Sequence, residues 1–398
     1  VYPRIESVVE GFCGRFDPER TRELMVFSAP GRTELGGNHT DHNCGRVLAC
    51  AVSLDVIACV TPRDDSIVRV KSEGFPEDEV DISSLEPVEK EINSSASLIR
   101  GVAAALKRMG YNIGGFNAYT TSSVLKGSGI SSSAAFEVLI GNILGSLYNG
   151  GEIDAVKIAM ASQVAENEFF GKPSGLMDQM ACAVGGAIEL DFSGEIRYEK
   201  IDFDLKGMGY GMVITNTGKG HANLSDDYSA IPNEMRSVAA CFGKERLCEI
   251  TLSEFCDKLP EIMDRVGNDR ALMRAFHFLT ENERVEEMSR AISARDIDKI
   301  QQILTESGNS SWKYLQNCYT TADLKTQRIS LALAISETYL RRLGDGCCRV
   351  HGGGFAGVIQ CVLPADRVDE YVGLMSRHFG RENVYPMSIR ATGAGTVR

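Results

Sequence analysis

The stretch from residue 124 to 147, VLKGSGISSSAAFEVLIGNILGSL, limits this chain more than any other. Phe136, Leu139, Ile140, Ile143, Leu144 and Leu147 recur at helical spacing and predict one apolar face of an amphipathic helix. Ahead of them runs a hydroxyl-rich loop, Lys126, Gly127, Ser128, Gly129, Ile130, Ser131, Ser132 and Ser133, so the serines stand where the helix must begin. The first amides of a helix lack partners within it, and the macrodipole adds partial positive charge there. Glycines let the backbone approach an anion closely, and serines add hydroxyl donors or metal ligands. Serines also cap ordinary core helices. From this stretch alone, phosphate cradle and simple cap both stand.

The 398 residues suffice for two domains, and 43% hydrophobic with 24% charged content is that of a folded soluble protein. No apolar run approaches the roughly 18 residues of a membrane span, so no membrane partner is expected. The opening VYPRIESVVEGF has no basic flank leading into a long apolar core, and no secretion signal is expected. A formal net charge of −12 disfavours a nucleic-acid partner, since such proteins carry basic faces. The 12 cysteines show no CxxC pairs of zinc-site spacing. Many sit in apolar runs, which predicts buried reduced thiols and a cytoplasmic location.

Along the chain, a lead-in helix and charged turn over 1–23 precede a short strand, 24–29, ending at Pro30 and Gly31. Residues 32–47, RTELGGNHTDHNCGRV, predict a long functional loop. Residues 47–60 read as one or two buried strands, 67–70 as an edge strand, 97–109 as a helix and 115–121 as a strand. A helix over 153–170 is followed by a second helix start and a strand pair across Gly185 and Gly186. Beyond residue 205 come a strand at 211–215 and charged, bundle-like helices at 226–258 and 281–306. The domains are accordingly set at 1–205 and 206–398.

Residues 349–363, RVHGGGFAGVIQCVL, contain Gly352, Gly354 and Gly357 in GxGxxG register, but no helix follows, so a dinucleotide site is rejected. No GxxxxGK[ST] string occurs. Polar glycine segments thus stand at 30–46, 126–133 and 349–357, with a further motif around Asp178.

Taken in order, these motifs identify a resemblance over nearly the whole chain. Pro30-Gly31-Arg32 with Gly37-Asn38-His39-Thr40-Asp41-His42, the Gly129-to-Ala135 serine string, Glu166 with Ser174-Gly175-Leu176-Met177-Asp178-Gln179, and Arg349-to-Gly357 resemble the signatures of the GHMP small-molecule kinases, and within them the galactokinase family. The resemblance implies an α+β, two-domain GHMP kinase fold. Its N-terminal domain would be like ribosomal S5 domain 2 and its C-terminal domain ferredoxin-like, with the last strand, near 387–390, returning to the first domain. It also implies ATP-dependent phosphorylation of the anomeric hydroxyl of galactose, with Asp178 as base and Arg32 holding charge nearby. Asn38, His39, Asp41, Gly175 and Tyr228 would bind the sugar, and His221 precedes Tyr228 as in the family. Lys126, Gly127, Ser128, Gly129, Ser131, Ser132 and Ser133 would bind the phosphates of ATP.

The residue chemistry agrees with that reading. Phosphoryl transfer needs positioning and charge neutralisation more than covalent participation. Ser133, or Ser132, and Glu166 offer oxygen ligands suited to Mg²⁺. Asp178 follows Pro173 and Gly175 at a predicted helix start, which favours its ionised form. His39 and His42 flank Asp41 as loop histidines, read as hydrogen-bonding rather than metal-binding, and His351 as structural or functional alike. A monomer or weak dimer is expected.

Departures from the family open alternatives. Its sugar-loop glutamate is Asn38 here and the tyrosine after its aspartate is His42. Losing a carboxylate removes repulsion against a C6 carboxylate, so galacturonate or a related hexose is a rival substrate. Ser95 stands where the family places an aromatic near the nucleotide base. A non-catalytic galactose and ATP sensor is the alternative of another class, and the intact string from Ser131 to Ala135 favours an enzyme. Kinases of mevalonate or homoserine are disfavoured by the HTDH string and Tyr228.

Overall fold

The computed structural model describes residues 2–124, 129–172, 174–218 and 224–397. Lys126, Gly127, Ser128 and His221 lie outside the described residues. The chain divides into two compact units, one of Val1–Arg32, Ala51–Gly186 and Arg390–Arg398, the other of Thr33–Cys50 and Ala187–Ile389.

In the first unit a sheet runs in the order Gly395–Thr396, β1 (Met25–Gly36), β2 (Arg46–Pro62), β5 (Phe116–Ser122), β3 (Ile67–Ser72) and β4 (Glu77–Asp81). β1 and β2 are each divided between the units. The strand predicted to end at Pro30 and Gly31 instead continues to Gly36, so the first residues of the loop predicted over 32–47 are strand. Strand Gly395–Thr396 pairs only with Phe27 and Ser28, so Pro30, which has no N–H to offer, lies beyond its reach. Residues 67–70 are not an edge either: β3 lies between β5 and β4.

Helices α1 (Tyr2–Phe16), α2 (Ser95–Arg108), α3 (Ser132–Tyr148), α4 (Ala155–Val164) and α5 (Met177–Val184) complete this unit. Helix α3 was expected to bury one face and buries nearly all of itself. Ala134, Ala135, Val138, Gly141 and Gly145 are buried with the predicted leucines and isoleucines, and so is Glu137, whereas Phe136 and Leu147 are only half-buried. Small residues supply the extra faces by letting neighbours come close: a Cβ on Gly141 would sit 2.6 Å from Ile158. Helix α4 passes into a π-helical turn, Ala165–Phe170, which carries Glu166. In place of the strand pair expected across Gly185 and Gly186, helix α5 leads into Gly185 and the strand Ala187–Asp191 follows Gly186.

In the second unit β6 (Ala187–Asp191) and β7 (Arg197–Ile201) form a hairpin, and β6 pairs with β2 from Arg46 to Cys50. A four-stranded sheet follows the order β11 (Val384–Met387), β8 (Tyr210–Asn216), β10 (Val358–Pro364) and β9 (Cys347–His351). β9 and β10 are the arms of a hairpin whose turn is the glycine run, so a strand follows the GxGxxG string where a dinucleotide fold needs a helix. Helices α6 (Ser225–Cys241), α7 (Leu252–Val266), α8 (Asp269–Ser293), α9 (Ile297–Ser310), α10 (Arg328–Leu343) and α11 (Val368–Phe379) make up the rest. Phe255, Phe278 and Leu315 centre one buried cluster, and Ile359, Cys361 and Tyr371 another. All 12 cysteines are free thiols. No described helix is long and apolar enough to cross a membrane.

Candidate active site

In the first unit Asp178 occupies the first turn of α5, as the sequence predicted. The Arg32 guanidinium grips it from β1 with two parallel bonds, Nε to Oδ1 at 2.6 Å and Nη2 to Oδ2 at 2.9 Å. This forked geometry fixes the carboxylate in orientation as well as charge. Burial acts to raise the Asp178 pKa, but the Arg32 charge, its hydrogen bonds and the Ser131 hydroxyl win, leaving the group below the ordinary carboxylate value. It is therefore ionised throughout the neutral range.

The same arginine organises the serine loop. Arg32 Nη1 donates to the Gly129 carbonyl at 2.7 Å and its backbone N–H to the Ile130 carbonyl at 3.1 Å. A Cβ on Gly31 would lie 2.7 Å from the Ile130 oxygen, so this approach requires glycine. Ser131 is held at φ 59°, a strained conformation for a non-glycine residue. Its hydroxyl makes no cap on α3 and donates instead to Asp178 Oδ2. The simple-cap alternative for Ser131 is thereby removed.

Two residues further on, Ser133 donates to Glu166 Oε1 at 3.0 Å. Lys172 Nζ reaches the same oxygen at 2.8 Å, and Gln179 Nε2 donates to Glu166 Oε2 at 2.8 Å and to Glu137 Oε2 at 3.1 Å. Burial, with Glu166 close by, pushes the Glu137 carboxyl well above its ordinary value. The serine string thus links the Asp178 carboxylate, through Ser131, to Glu166, through Ser133. Ser132 opens α3 half-buried, and Gly175 lies half-buried two residues ahead of α5. The Ser95 hydroxyl is turned to Asp78 at 2.5 Å.

In the second unit the predicted sugar residues meet on the glycine turn. Its three consecutive carbonyls are each taken by one of them: Asn38 Nδ2 donates to Gly352 O at 2.7 Å, His39 Nε2 to Gly353 O at 2.8 Å, and Tyr228 Oη to Gly354 O at 3.0 Å. The Tyr228 ring stands edge-on to Phe355. Asn38 is only 1% exposed, and its Oδ1 accepts from Asn317 at 2.8 Å and Ser311 at 3.3 Å. Behind it Glu34 pairs with Arg349 at 2.6 Å, both buried. Asp41 lies in the 3-10 turn Asp41–Asn43, its Oδ1 accepting the His42 N–H at 2.9 Å. His351 accepts from the Glu34 N–H at 3.2 Å, a structural bond. Among the described residues no cluster of three or more His, Cys, Asp or Glu side chains could hold a metal.

Two buried histidines here set an acid limit. Burial, then His42, lowers His39 to about 3, and burial lowers His277, which bonds Ser310 and the Asn38 carbonyl, to about 4. The unfolded chain, with histidines near ~6.5, binds more protons than the native one below that pH. Stability therefore falls as pH drops through 6.5, by about 2 kcal/mol per histidine at pH 5. Urea denaturation at pH 7.5 and pH 5 is expected to show this loss, and to show less of it in His277→Gln.

Known proteins resemble the chain over most of its length. A model of the galactokinase galactose-binding signature covers residues 10–62, and one of the GHMP kinase N-terminal domain covers residues 97–186. A galactokinase of Actinobacillus pleuropneumoniae serotype 3 is 30% identical over 359 residues, 89% of each chain. The chain belongs to the galactokinase family. A second family member, from Clostridium tetani, is 30% identical over 371 residues, 90% of this chain and 88% of that one. The solved galactokinase of Lactococcus lactis, complexed with galactose, superposes with a TM-score of 0.84 at 26% identity, covering 99% of this chain and 100% of that one. The fold is thus a GHMP kinase fold, and the chain is a sugar kinase of a family that uses ATP.

Against that family background, sequence reading missed Lys172, Gln179 and Glu137 beside Glu166, and Asn317 beside Asn38. Glu137 did carry a signal, since a carboxyl four residues after Ser133 in an otherwise apolar helix needs a polar partner. Asn317 carried none.

Proposed function

We propose that the chain transfers the γ-phosphoryl group of ATP to the anomeric hydroxyl of galactose, with Asp178 as the base. The observation that carries this reading is the Asp178 carboxylate fixed by Arg32 on both oxygens and by Ser131 on one. The sugar O1–H bond breaks as its proton passes to Asp178, the O1–P bond forms, and ADP leaves with the bridging electrons. A carboxylate of lowered pKa is a weak base, which suffices when the proton moves late in a loose transition state. Orientation then matters more than basicity, and orientation is what Arg32 supplies.

Ser131, Ser132 and Ser133, with the α3 amides, receive the ATP phosphates, and Lys126, Gly127, Ser128 and Gly129 are assigned to the same loop by family likeness. Ser133 and Glu166 fit a magnesium ion. Ser133 Oγ and Glu166 Oε1, 3.0 Å apart, would hold it as hard oxygen ligands. When bound, the ion neutralises phosphate charge. Glu166→Gln is expected to raise the magnesium concentration needed for half-maximal rate by about tenfold, measured by titrating the metal at fixed ATP; an unchanged requirement removes Glu166 from the ligand set.

Asp41 meets the ring hydroxyls, while Asn38, Gly175, Tyr228 and His39 shape the sugar's surroundings. Both amide hydrogens of Asn38 are spent, on Gly352 O and on Glu34 at 3.3 Å, so it has no donor left for a C6 carboxylate. Galactose is therefore favoured over galacturonate. A coupled ADP-release assay over galactose, galacturonate, glucose and N-acetylgalactosamine should rank galactose first by kcat/KM. Saturable galactose binding without turnover would point to the sensor reading instead. The free thiols suit a cytoplasmic route from galactose to its 1-phosphate.

A further inference from the structure

His42, where the chain departs from its family, lies in a chain of contacts whose proton positions can be counted. The Gly353 carbonyl can only accept, so His39 Nε2, 2.8 Å away, carries a hydrogen. Buried His39 is neutral, so its Nδ1 is a bare lone pair. His42 Nε2, 2.8 Å from that lone pair, must therefore be the donor. The other ring nitrogen of His42, Nδ1, lies 3.2 Å from Asp41 Oδ1.

Asp41 Oδ1 is thereby engaged twice, by the His42 N–H at 2.9 Å and by the His42 ring. Oδ2 has no partner among the described residues, and the Asp41 side chain is 15% exposed. We infer that His42 is the positioning residue of Asp41: anchored through His39 to the glycine turn, it holds Oδ1 on the protein side and presents Oδ2 to a ring hydroxyl of the sugar. This rests on the reading of Asp41 as a sugar contact.

Calorimetric galactose binding tests this without depending on turnover. His42→Ala is expected to weaken galactose binding about tenfold, the scale of one hydrogen bond, with ATP binding intact and the kinetic loss falling on the galactose KM more than on kcat. Added imidazole, able to refill the vacated ring position, should recover most of the binding. His42→Gln keeps a donor for His39 without the ring nitrogen beside Asp41, and should show a similar loss with no imidazole rescue; it covers the case in which His42→Ala does not fold. Unchanged galactose affinity in either folded variant, or a loss in His42→Ala that imidazole does not mend, overturns the inference. Wild-type protein that binds galactose without phosphorylating it would overturn the activity alone, and the affinity comparison would still decide the role of His42.

Discussion

Asp178→Asn should retain the fold and ATP binding while kcat falls about a thousandfold, within the range expected when a positioned general base is lost. The substitution is nearly isosteric, so the first turn of α5 keeps its shape. What changes is the pairing with Arg32, which donates to both Asp178 oxygens. An amide offers one acceptor and turns its NH₂ toward a donor, leaving part of the guanidinium without its partner. Ser131 loses its acceptor or must share the remaining one. The chemistry thus loses its proton acceptor and the loop loses part of its anchor. Steady-state turnover and calorimetric ATP binding, measured together, separate these effects; turnover close to wild type would remove Asp178 from the base role.

The second large effect concerns stability. Arg349→Met is expected to destabilise the second unit by about 3–5 kcal/mol, the usual cost of stranding one member of a buried ion pair. Arg349 is 1% exposed and Glu34 3% exposed. Besides Glu34, Arg349 serves the Leu35 carbonyl at 2.9 Å and the Val350 carbonyl at 3.0 Å, so methionine fills the volume but satisfies none of these acceptors. Glu34→Gln/Arg349→Met should recover part of the loss, because the stranded charge is then gone. Urea midpoints of the wild type, the two single variants and the double variant give the coupling directly. A single-variant loss below about 1 kcal/mol would mean that the pair is dispensable.

Much of the first constellation was legible in the sequence because its parts are local. The serine loop, the helix after it and the acid at the start of α5 each announce themselves within a few residues. Arg32 was read as lying on a loop, because proline and glycine usually end a strand. Here the neighbouring strand stops short of Pro30, and Gly31 is needed for contact with Ile130, so β1 continues. Glu137 was hidden by the opposite effect: an apolar pattern suggested one buried face, whereas small residues bury the helix almost all round. In the second unit Asn38, His39 and Tyr228 were recognised as a group, yet the carbonyls they share could not be read. Asn38 and Gly352 are 314 positions apart, and a backbone acceptor has no sequence signature of its own.

That separation also bears on how the protein is made. A chain growing on the ribosome carries Glu34, Asn38 and His39 long before the glycine turn and Arg349 exist, so their eventual partners must be replaced by water until roughly the final eighth of the sequence emerges. A message cut short before residue 349 therefore encodes a polypeptide that keeps its proposed base, its arginine and its serine loop, yet leaves a carboxylate and an asparagine of the second unit without the groups that let them be buried. Such a product would be lost to quality control rather than persist as a weakened enzyme.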